Sequence, residues 1–209
     1  MIGTRERASK WFVVTALLGA LSWSAGAAAD VTAQLELCAG CHGKDGASSQ
    51  SGVPVIGGYS AKYISDSLAN YRGKSRPCPE AKFTEGAQKG QSTDMCSVAA
   101  KLSEADSLAV ADALSKKPFV RAHQSADAAK AARGKQLHDT HCMKCHEDGG
   151  SSPDDDAGIL AGQWMPYLRH TFEEFKSGAR PIPKKMKPKF DELTPDDVDA
   201  LVNFYGSIK

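Results

Sequence analysis

The 209-residue sequence lacks a dominant charge of one sign, a long apolar run after residue 29 and a glycine-rich nucleotide-binding motif. Its 26 basic side chains nearly balance 25 acidic ones, so net charge identifies no partner, and we expect no nucleic acid partner. Without a long apolar run, no transmembrane segment is expected in the mature chain. A clear strand pattern is also missing, which favours an all-α fold.

The first 29 residues have the three parts of a secretory signal peptide. A basic start precedes an apolar stretch from Trp11 to about Leu21, and small residues follow at Ala27–Ala29. We predict cleavage before Asp30, with an uncleaved anchor as the alternative. Cleavage removes a net charge of +2 from the total of +1, so the mature, soluble chain carries −1.

Two copies of the pattern C-x-x-C-H form the chemical signature of the chain. This pattern is the attachment site of c-type haem. The two thiols can form thioethers with one porphyrin, and the imidazole that follows can ligate the iron. We therefore predict two covalently bound haem c groups, and a bacterial periplasm as the location. The residues are Cys38, Cys41 and His42 in the first copy, and Cys142, Cys145 and His146 in the second.

Each cysteine pair has two other interpretations, a structural zinc site and a redox disulfide. A zinc ribbon pairs its cysteine knuckles at a separation of about 15 to 20 residues. Cys41 and Cys142 are 101 positions apart, so the spacing does not favour zinc.

The chain contains an internal repeat. At an offset of 104 the matching pairs are Cys38 and Cys142, Tyr63 and Tyr167, Leu68 and Phe172, Tyr71 and Phe175, Arg76 and Arg180, and Pro77 and Pro181. Beyond them the offset falls to 91, with the pairs Met95 and Met186, Leu102 and Leu193, and Asp106 and Asp197. The first half therefore carries 13 additional residues between Pro77 and Met95.

The repeat predicts two small helical domains, residues 30–117 and 128–209, joined by a linker at 118–127. Periodicity predicts helices over 31–37, 63–71, 128–140 and 165–175. A further helix in each half should begin after a capping residue, Ser103 or Thr194, with an acidic side chain three positions later. Haem would supply much of the core of each domain.

The repeat also indicates the second axial ligand of each iron. A thioether opposite the imidazole gives a saturated His/Met iron suited to electron transfer. Met95 and Met186 occupy equivalent positions just ahead of the capped helices, so we predict both as axial ligands. Met143, inside a haem motif, and Met165, at a helix start, are weaker candidates. Bis-His ligation is the other alternative, but the remaining histidines do not pair at either offset.

The two cysteines outside the haem motifs, Cys78 and Cys96, bracket nearly all of the additional residues. In an oxidising periplasm we expect a disulfide between them, and two free thiols are the alternative. Because Cys96 directly follows Met95, the bridge would anchor the methionine loop of the first haem.

Several segments of the chain resemble a known family, most densely in the second half. They are Gly134–Asp139, the haem motif 142–146, Ile159–Trp164, Pro166–Leu168, Arg180–Pro181 and Lys184–Met186. These segments resemble the cytochrome c4 family and, within it, the di-haem cytochrome subunit of flavocytochrome c sulfide dehydrogenase. The first half, with its Cys78/Cys96 loop, is closer to the general cytochrome c4 pattern. The resemblance implies two tandem class I cytochrome c domains, each wrapped around one haem.

The resemblance also implies a loop that holds the axial histidine through a backbone carbonyl. Pro54 fits this loop in the first half, whereas Gly158 stands at the equivalent position in the second. We therefore expect the two haems to have different surroundings.

The function implied by the resemblance is electron transfer from the flavin of a sulfide-oxidising flavoprotein through one haem to the other. A free di-haem shuttle to a terminal oxidase is the second hypothesis. An autonomous haem enzyme, such as a peroxidase or thiosulfate dehydrogenase, is the third, although we predict no substrate-converting site on the chain itself. Lysines 184, 185, 187 and 189 around Met186 form either a solvated face or a basic rim for an acidic redox partner.

Overall fold

The computed structural model describes residues 1, 3, 30–154 and 156–209. The predicted signal peptide, apart from residues 1 and 3, lies outside the described residues. None of the helices in the described part of the chain combines the length and the apolar character that a membrane crossing requires.

The first half contains four helices and one pair of very short strands. In chain order they are α1 (Thr32–His42), α2 (Ala61–Arg72), β1 (Ala81–Lys82), β2 (Ser92–Thr93), α3 (Met95–Ala100) and α4 (Glu104–Ser115). A 3₁₀ turn, Lys44–Gly46, follows α1. Helix α1 is longer at its C-terminal end than the helix predicted over 31–37, and it includes the whole haem motif.

The described residues of the second half form five helices. They are α5 (Ala128–Leu137), α6 (Glu147–Gly150), α7 (Met165–Ser177), α8 (Lys187–Phe190) and α9 (Pro195–Ser207). A π-helical turn, His138–Cys142, follows α5, so the helix predicted over 128–140 changes its winding before it reaches the haem motif. The described residues are mostly helical, which confirms the all-α fold class.

The two halves repeat each other in backbone hydrogen bonds as well as in sequence. The carbonyl of Gly46 accepts from Ile56 N–H at 2.9 Å, and the carbonyl of Gly150 accepts from Leu160 N–H at 2.8 Å. The paired positions are 104 residues apart, as in the sequence repeat. The same loop therefore follows the haem motif in each half.

The predicted caps of α4 and α9 are confirmed. Ser103 accepts a hydrogen bond from Asp106 N–H, and the Asp106 carboxylate accepts from Ser103 N–H. Thr194 and Asp197 make the same reciprocal pair, and Pro195 occupies the first position of α9. Each capping box satisfies backbone N–H groups that the first helical turn leaves unpaired.

Close packing of α5 against α9 depends on Gly134. A Cβ atom at this position would lie 2.0 Å from the carbonyl oxygen of Ala200 and 2.7 Å from Phe204 Cβ. Only glycine allows the two helices to approach this closely. Around this contact lies the core of the second half, which includes Leu168, Leu201, Val202, Phe204 and Tyr205.

The linker packs against both halves. Ala122 N–H donates to Gly162 C=O at 2.7 Å, and the Arg121 side chain covers Gly162. At the repeat-equivalent position, Gly58 contacts the backbone of Phe119. Segment 118–127 is thus irregular in structure and fixed in place.

The additional residues of the first half form a β-hairpin over the first haem motif. Strands β1 and β2 pair antiparallel, with Ala81 opposite Thr93. Beyond β1, Phe83 is buried on Gly40, where a Cβ atom would lie 2.6 Å from the phenyl ring. The Gly40 carbonyl also accepts from Thr84 N–H at 2.8 Å. The hairpin was missed by the sequence analysis because each strand is only two residues long.

Candidate haem centres

The first haem motif lies on the last turns of α1. His42 is the final residue of the helix and is 7% exposed. Its Nδ1–H donates to the carbonyl oxygen of Pro54 at 2.9 Å, which confirms the predicted proline-loop contact. Burial lowers the pKa of His42, which favours a neutral ring whose Nε2 could ligate a metal.

One cavity of about 350 Å³ gathers the predicted residues of the first site. Cys38, Cys41, His42 and Met95 all line it. Most of the remaining wall is apolar, and includes Leu37, Ile64, Leu68, Val98, Val110 and Leu114. Two thiols, an imidazole and a thioether around an apolar cavity are the donor set that a covalent haem requires.

Met95 is held by its neighbours on both sides. It is the first residue of α3, and the Asp94 side chain caps this helix by accepting from Ser97 N–H at 2.8 Å. Cys96 forms a disulfide with Cys78, with Cα atoms 5.7 Å apart. The bridge fixes the start of α3 to the segment that precedes the hairpin.

The second set of predicted residues has different local structure. Cys142 closes the π-helical turn and packs against the core of the second half, whereas Cys145 is exposed. Met186 is partly buried and precedes α8. The 350 Å³ cavity of the first site is not lined by Cys142, Cys145, His146 or Met186.

His138, one of the alternative ligands, is fully buried in this second core. Its Nδ1 is hydrogen-bonded to the Tyr205 hydroxyl at 3.0 Å, and its ring packs against Phe204. These contacts give His138 a role in packing α5 and its π-helical turn against α9.

Two arginines at equivalent repeat positions have unused buried hydrogen-bond donors. Arg76 lies over the Tyr71 ring at 4.4 Å, and Arg180 lies over the Phe175 ring at 4.6 Å. Arg76 Nε is buried without a hydrogen-bond partner, and so is Arg180 Nη1, although it lies 4.0 Å from the Glu174 carboxylate in an ion pair. A buried donor of this kind is costly unless a ligand satisfies it. The residues of the first site therefore fit a haem, whose carboxylate groups would accept from the Arg76 guanidinium group.

Tyr167 of the second half lies near both of these arginines and lines the first cavity. Burial raises the pKa of Tyr167, but the charges of Arg76 and Arg180 outweigh this effect and hold the pKa below its ordinary value. The same cavity is lined by His170 and Glu174, also from the second half. The first site is thus completed by side chains of the other domain.

Three of the four haem-motif thiols, Cys38, Cys41 and Cys142, lack the lowered pKa of a redox-active cysteine. Burial raises the pKa of Cys38 to about 11, and it also raises the pKa values of Cys41 and Cys142. Reactive thiols in Cys-x-x-Cys redox motifs have lowered pKa values instead. This difference argues against the disulfide-exchange interpretation.

A zinc site has little support in the described residues. There, one group of three candidate metal-ligating side chains lies close together, namely Cys78, Asp94 and Cys96. Two of its members form the disulfide and do not offer thiolates. The haem-motif cysteines are not part of that group.

Two of the four lysines around Met186 pair with acidic neighbours. Lys187 pairs with Asp191 at 2.8 Å, and Lys189 lies 3.4 Å from Glu192. All four side chains are exposed at the surface. This pattern agrees better with a solvated face than with a strongly basic rim.

The domain interface contains polar residues that the sequence analysis missed. Gln163 and Tyr59 are buried there, and the Trp164 indole N–H donates to the Ser48 carbonyl at 3.0 Å. The sequence repeat paired Arg76 with Arg180, but it gave no sign that each has a buried donor without a hydrogen-bond partner. The repeat could have indicated the arginines as a functional pair, whereas Gln163 and Tyr59 differ in residue type and gave no such signal.

Comparison with protein families gives one match in the second half. Residues 129–204 match the family described as cytochrome c oxidase, cbb3-type, subunit III. A comparison with curated protein sequences gave no match.

Solved structures resemble the chain over most of its length. Reduced recombinant cytochrome c4 from Pseudomonas stutzeri has a TM-score of 0.69 and 24% identity, over 88% of this chain and 100% of its own. Cytochrome c4 from Acidithiobacillus ferrooxidans gives 0.65 and 24%, over 82% and 98% of the two chains. The as-isolated form of thiosulfate dehydrogenase (TsdBA) from Marichromatium purpuratum gives 0.66 and 22%, over 81% of this chain but 36% of its own. The chain therefore has a cytochrome c4-like fold made of class I cytochrome c domains.

Proposed function

We propose that the chain is a periplasmic electron-transfer protein that carries two covalent haem c groups. Cys38 and Cys41 would bind the first haem covalently, with His42 and Met95 as its axial ligands. The observation that carries this proposal is the single apolar cavity lined by these four residues. In the second half the corresponding residues are Cys142, Cys145, His146 and Met186.

A bound haem supplies an iron that cycles between ferric and ferrous states. The protein residues bind and tune this group. Pro54 orients the His42 ring through a hydrogen bond, and the Cys78–Cys96 disulfide anchors the segment that carries Met95. The apolar wall excludes water, and the Arg76 guanidinium offers a buried donor to a haem carboxylate.

The packing of the two halves supports electron transfer between the sites. Tyr167 and Glu174 on α7 reach the wall of the first cavity, and Arg180 lies close enough to Tyr167 to affect its pKa. The equivalent arginines of the two halves, Arg76 and Arg180, therefore lie near the same tyrosine. Contacts of this kind between the halves would keep the haems at a fixed separation.

For the electron donor we infer a catalytic partner that oxidises a reduced inorganic sulfur compound, with a flavoprotein sulfide dehydrogenase as the first choice. The resemblance of segments such as Ile159–Trp164 and Lys184–Met186 to the sulfide dehydrogenase cytochrome subunit supports this choice. The match to 36% of a thiosulfate dehydrogenase chain also supports a role as the cytochrome part of a larger sulfur-oxidising enzyme.

A free electron shuttle is the alternative. It is favoured by the cytochrome c4 structures, because this chain covers 98% to 100% of their length. In this case the partner would be a terminal oxidase or another periplasmic acceptor, and no stable complex with a flavoprotein would form.

The proposal is tested first by the haem content of the chain produced in a host that attaches haem c. We expect two thioether-linked, low-spin haems that resist carbon monoxide when reduced. A Cys38→Ala, Cys41→Ala variant should retain one haem, and Cys142→Ala, Cys145→Ala is its matched counterpart. An iron that binds carbon monoxide readily would instead favour the haem-enzyme hypothesis.

The partner is tested by purification from the native periplasm without added salt. Co-purification of a flavin-containing subunit, with sulfide-dependent reduction of both haems, would support the first choice. A monomeric, flavin-free chain that supplies electrons to an oxidase at full rate would support the shuttle instead.

A further inference from the structure

A buried glutamine of the second half clamps one residue of the first half. Gln163 is 0% exposed, and its Oε1 accepts from Val55 N–H at 3.0 Å. Its Nε2 donates to the Val55 carbonyl at 2.9 Å. A single side chain thus binds both backbone polar groups of Val55, as a neighbouring β-strand would.

The Gln163 amide has no hydrogen-bonding capacity left. Besides Val55, its Oε1 accepts from Trp164 N–H at 3.1 Å, and its Nε2 donates to the Tyr59 hydroxyl at 2.9 Å. An amide has two donors and two principal acceptor sites, and all four are used here. The two N–H groups that face Oε1 and the two oxygens that face Nε2 fix the orientation of the amide.

Val55 directly follows the residue that holds the axial histidine of the first site. Pro54 C=O accepts from His42 Nδ1–H at 2.9 Å, and Val55 is 1% exposed. A clamp on Val55 therefore restrains the peptide group whose oxygen orients the His42 ring. This connection runs from Gln163 of the second domain through Val55 and Pro54 to His42, the predicted ligand of the first haem.

We propose that Gln163 is a positioning residue for His42, so that docking of the second domain sets the redox potential of the first haem. This inference rests on the haem ligation given under Proposed function. A hydrogen bond from Nδ1 to a carbonyl raises the basicity of the ligating imidazole. A more basic ligand favours the ferric iron, so the clamp lowers the potential of the first haem.

Tyr59 of the first half makes the corresponding contact with a backbone carbonyl of the second half. It precedes Gln163 by 104 positions, and its hydroxyl donates to the Ile159 carbonyl at 3.2 Å. Ile159 in turn is the repeat equivalent of Val55. Loss of the Tyr59 hydroxyl removes one partner of Gln163 but leaves both of its bonds to Val55. The Tyr59→Phe variant is therefore a matched control at the same interface.

The test uses the full-length holoprotein with the substitution Gln163→Met, which keeps the side-chain length and removes the amide. The potential of each haem is measured by spectroelectrochemistry, and the His42 ring protons are followed by paramagnetic NMR. We expect an upward shift of the first-haem potential and displaced His42 signals. In Tyr59→Phe the first-haem potential and the His42 signals should remain those of the unaltered protein.

Two results would overturn the inference. One is an unshifted first-haem potential in Gln163→Met, and the other is an equal shift in Gln163→Met and Tyr59→Phe, which would indicate general loosening of the interface. In either case, two normal low-spin haems would leave the proposed function intact. Absence of covalent haem from the unaltered protein would overturn the proposed function and this inference together.

A second measurement needs no substitution, in case Gln163→Met fails to fold. Amide hydrogen exchange in the unaltered holoprotein reports whether Val55 N–H is held by the Gln163 side chain. We expect Val55 to exchange as slowly as the core amides of α4, although it lies in a loop. Rapid exchange at Val55 would overturn the clamp.

Discussion

The ring of Tyr63 lies directly against Gly158. A Cβ atom at Gly158 would lie 2.9 Å from the Tyr63 hydroxyl oxygen and 3.1 Å from the ring carbon that bears it. Gly158 is the repeat equivalent of Pro54, so the proline loop of the second half differs because a tyrosine of the first half occupies the space of its side chain. The asymmetry between the two sites is a consequence of domain packing.

Gly158→Ala should therefore destabilise the holoprotein by about 1 to 3 kcal/mol, the usual cost of overpacking. The measurement is urea unfolding followed by haem absorption. In the double variant with Tyr63→Ala, part of the lost free energy of unfolding should be recovered, because residues 63 and 158 are in contact. Gly73→Ala, where the nearest atom would be 3.4 Å away, is the matched control and should be nearly neutral. Additive effects in the double variant would contradict the contact.

Met95→Ala should convert one of the two haems to a form that binds carbon monoxide when reduced. Removal of the thioether leaves an open position on the iron, and the potential of that haem should fall. The measurements are the sulfur-to-iron absorption band and carbon monoxide binding. Met186→Ala should do the same at the other haem, and Met165→Leu should leave both unchanged. If the sulfur-to-iron absorption of Met95→Ala were as strong as that of the unaltered protein, another residue would be the ligand of the first iron.

The double substitution Cys78→Ser, Cys96→Ser should lower the free energy of unfolding by about 3 kcal/mol, the value expected for a loop of this size. It should also weaken the sulfur-to-iron band of one haem, because Met95 begins the helix that the bridge anchors. An unchanged band and potential would remove the disulfide from any role at the iron.

Asp197 should contribute stability that depends on pH. Hydrogen bonds from the Thr194 side chain and backbone lower the pKa of Asp197, and Arg133 adds to this effect. A carboxyl group whose pKa is lower in the folded state stabilises the fold above its unfolded pKa of about 4. This stability is lost as the pH falls through the folded pKa.

Asp197→Asn should therefore be less stable than the unaltered protein near neutral pH, and the difference should shrink below about pH 4. Thermal unfolding across this pH range checks the prediction. Asp196→Asn is the control, because Asp196 lies in the same turn but outside the capping box. A difference that stays constant down to low pH would contradict the assignment of the capping carboxylate.

Local features of the sequence predicted most of the elements that carry the first site. The haem motif fixed Cys38, Cys41 and His42 by spacing, and the repeat pointed to Met95. The caps at Ser103 and Thr194 were also predictable, because a capping box is formed by residues only three positions apart. Such signals can be detected in a single sequence because they depend on residues that are close together along the chain.

Other features were not predictable, since they depend on contacts between distant segments. The burial of Phe83 on Gly40 joins residues 43 positions apart, and the π-helical turn at His138–Cys142 accompanies the packing of α5 on α9. The Gln163 clamp on Val55 spans 108 positions. Nothing in the local pattern around Gln163 distinguishes a buried bridging amide from an exposed one.

The sequence by itself determined the chemistry of this protein, namely two haem motifs, a repeat and a pair of equivalent methionines, because covalent attachment and ligation require fixed residue types. Only the tertiary structure decided how the halves affect each other. It placed Tyr63 against Gly158, Tyr167 near two arginines, and Gln163 on the backbone beside the carbonyl that holds His42. Burial at a domain interface made these polar contacts strong and specific, and burial is a property of the packed chain rather than of any one segment.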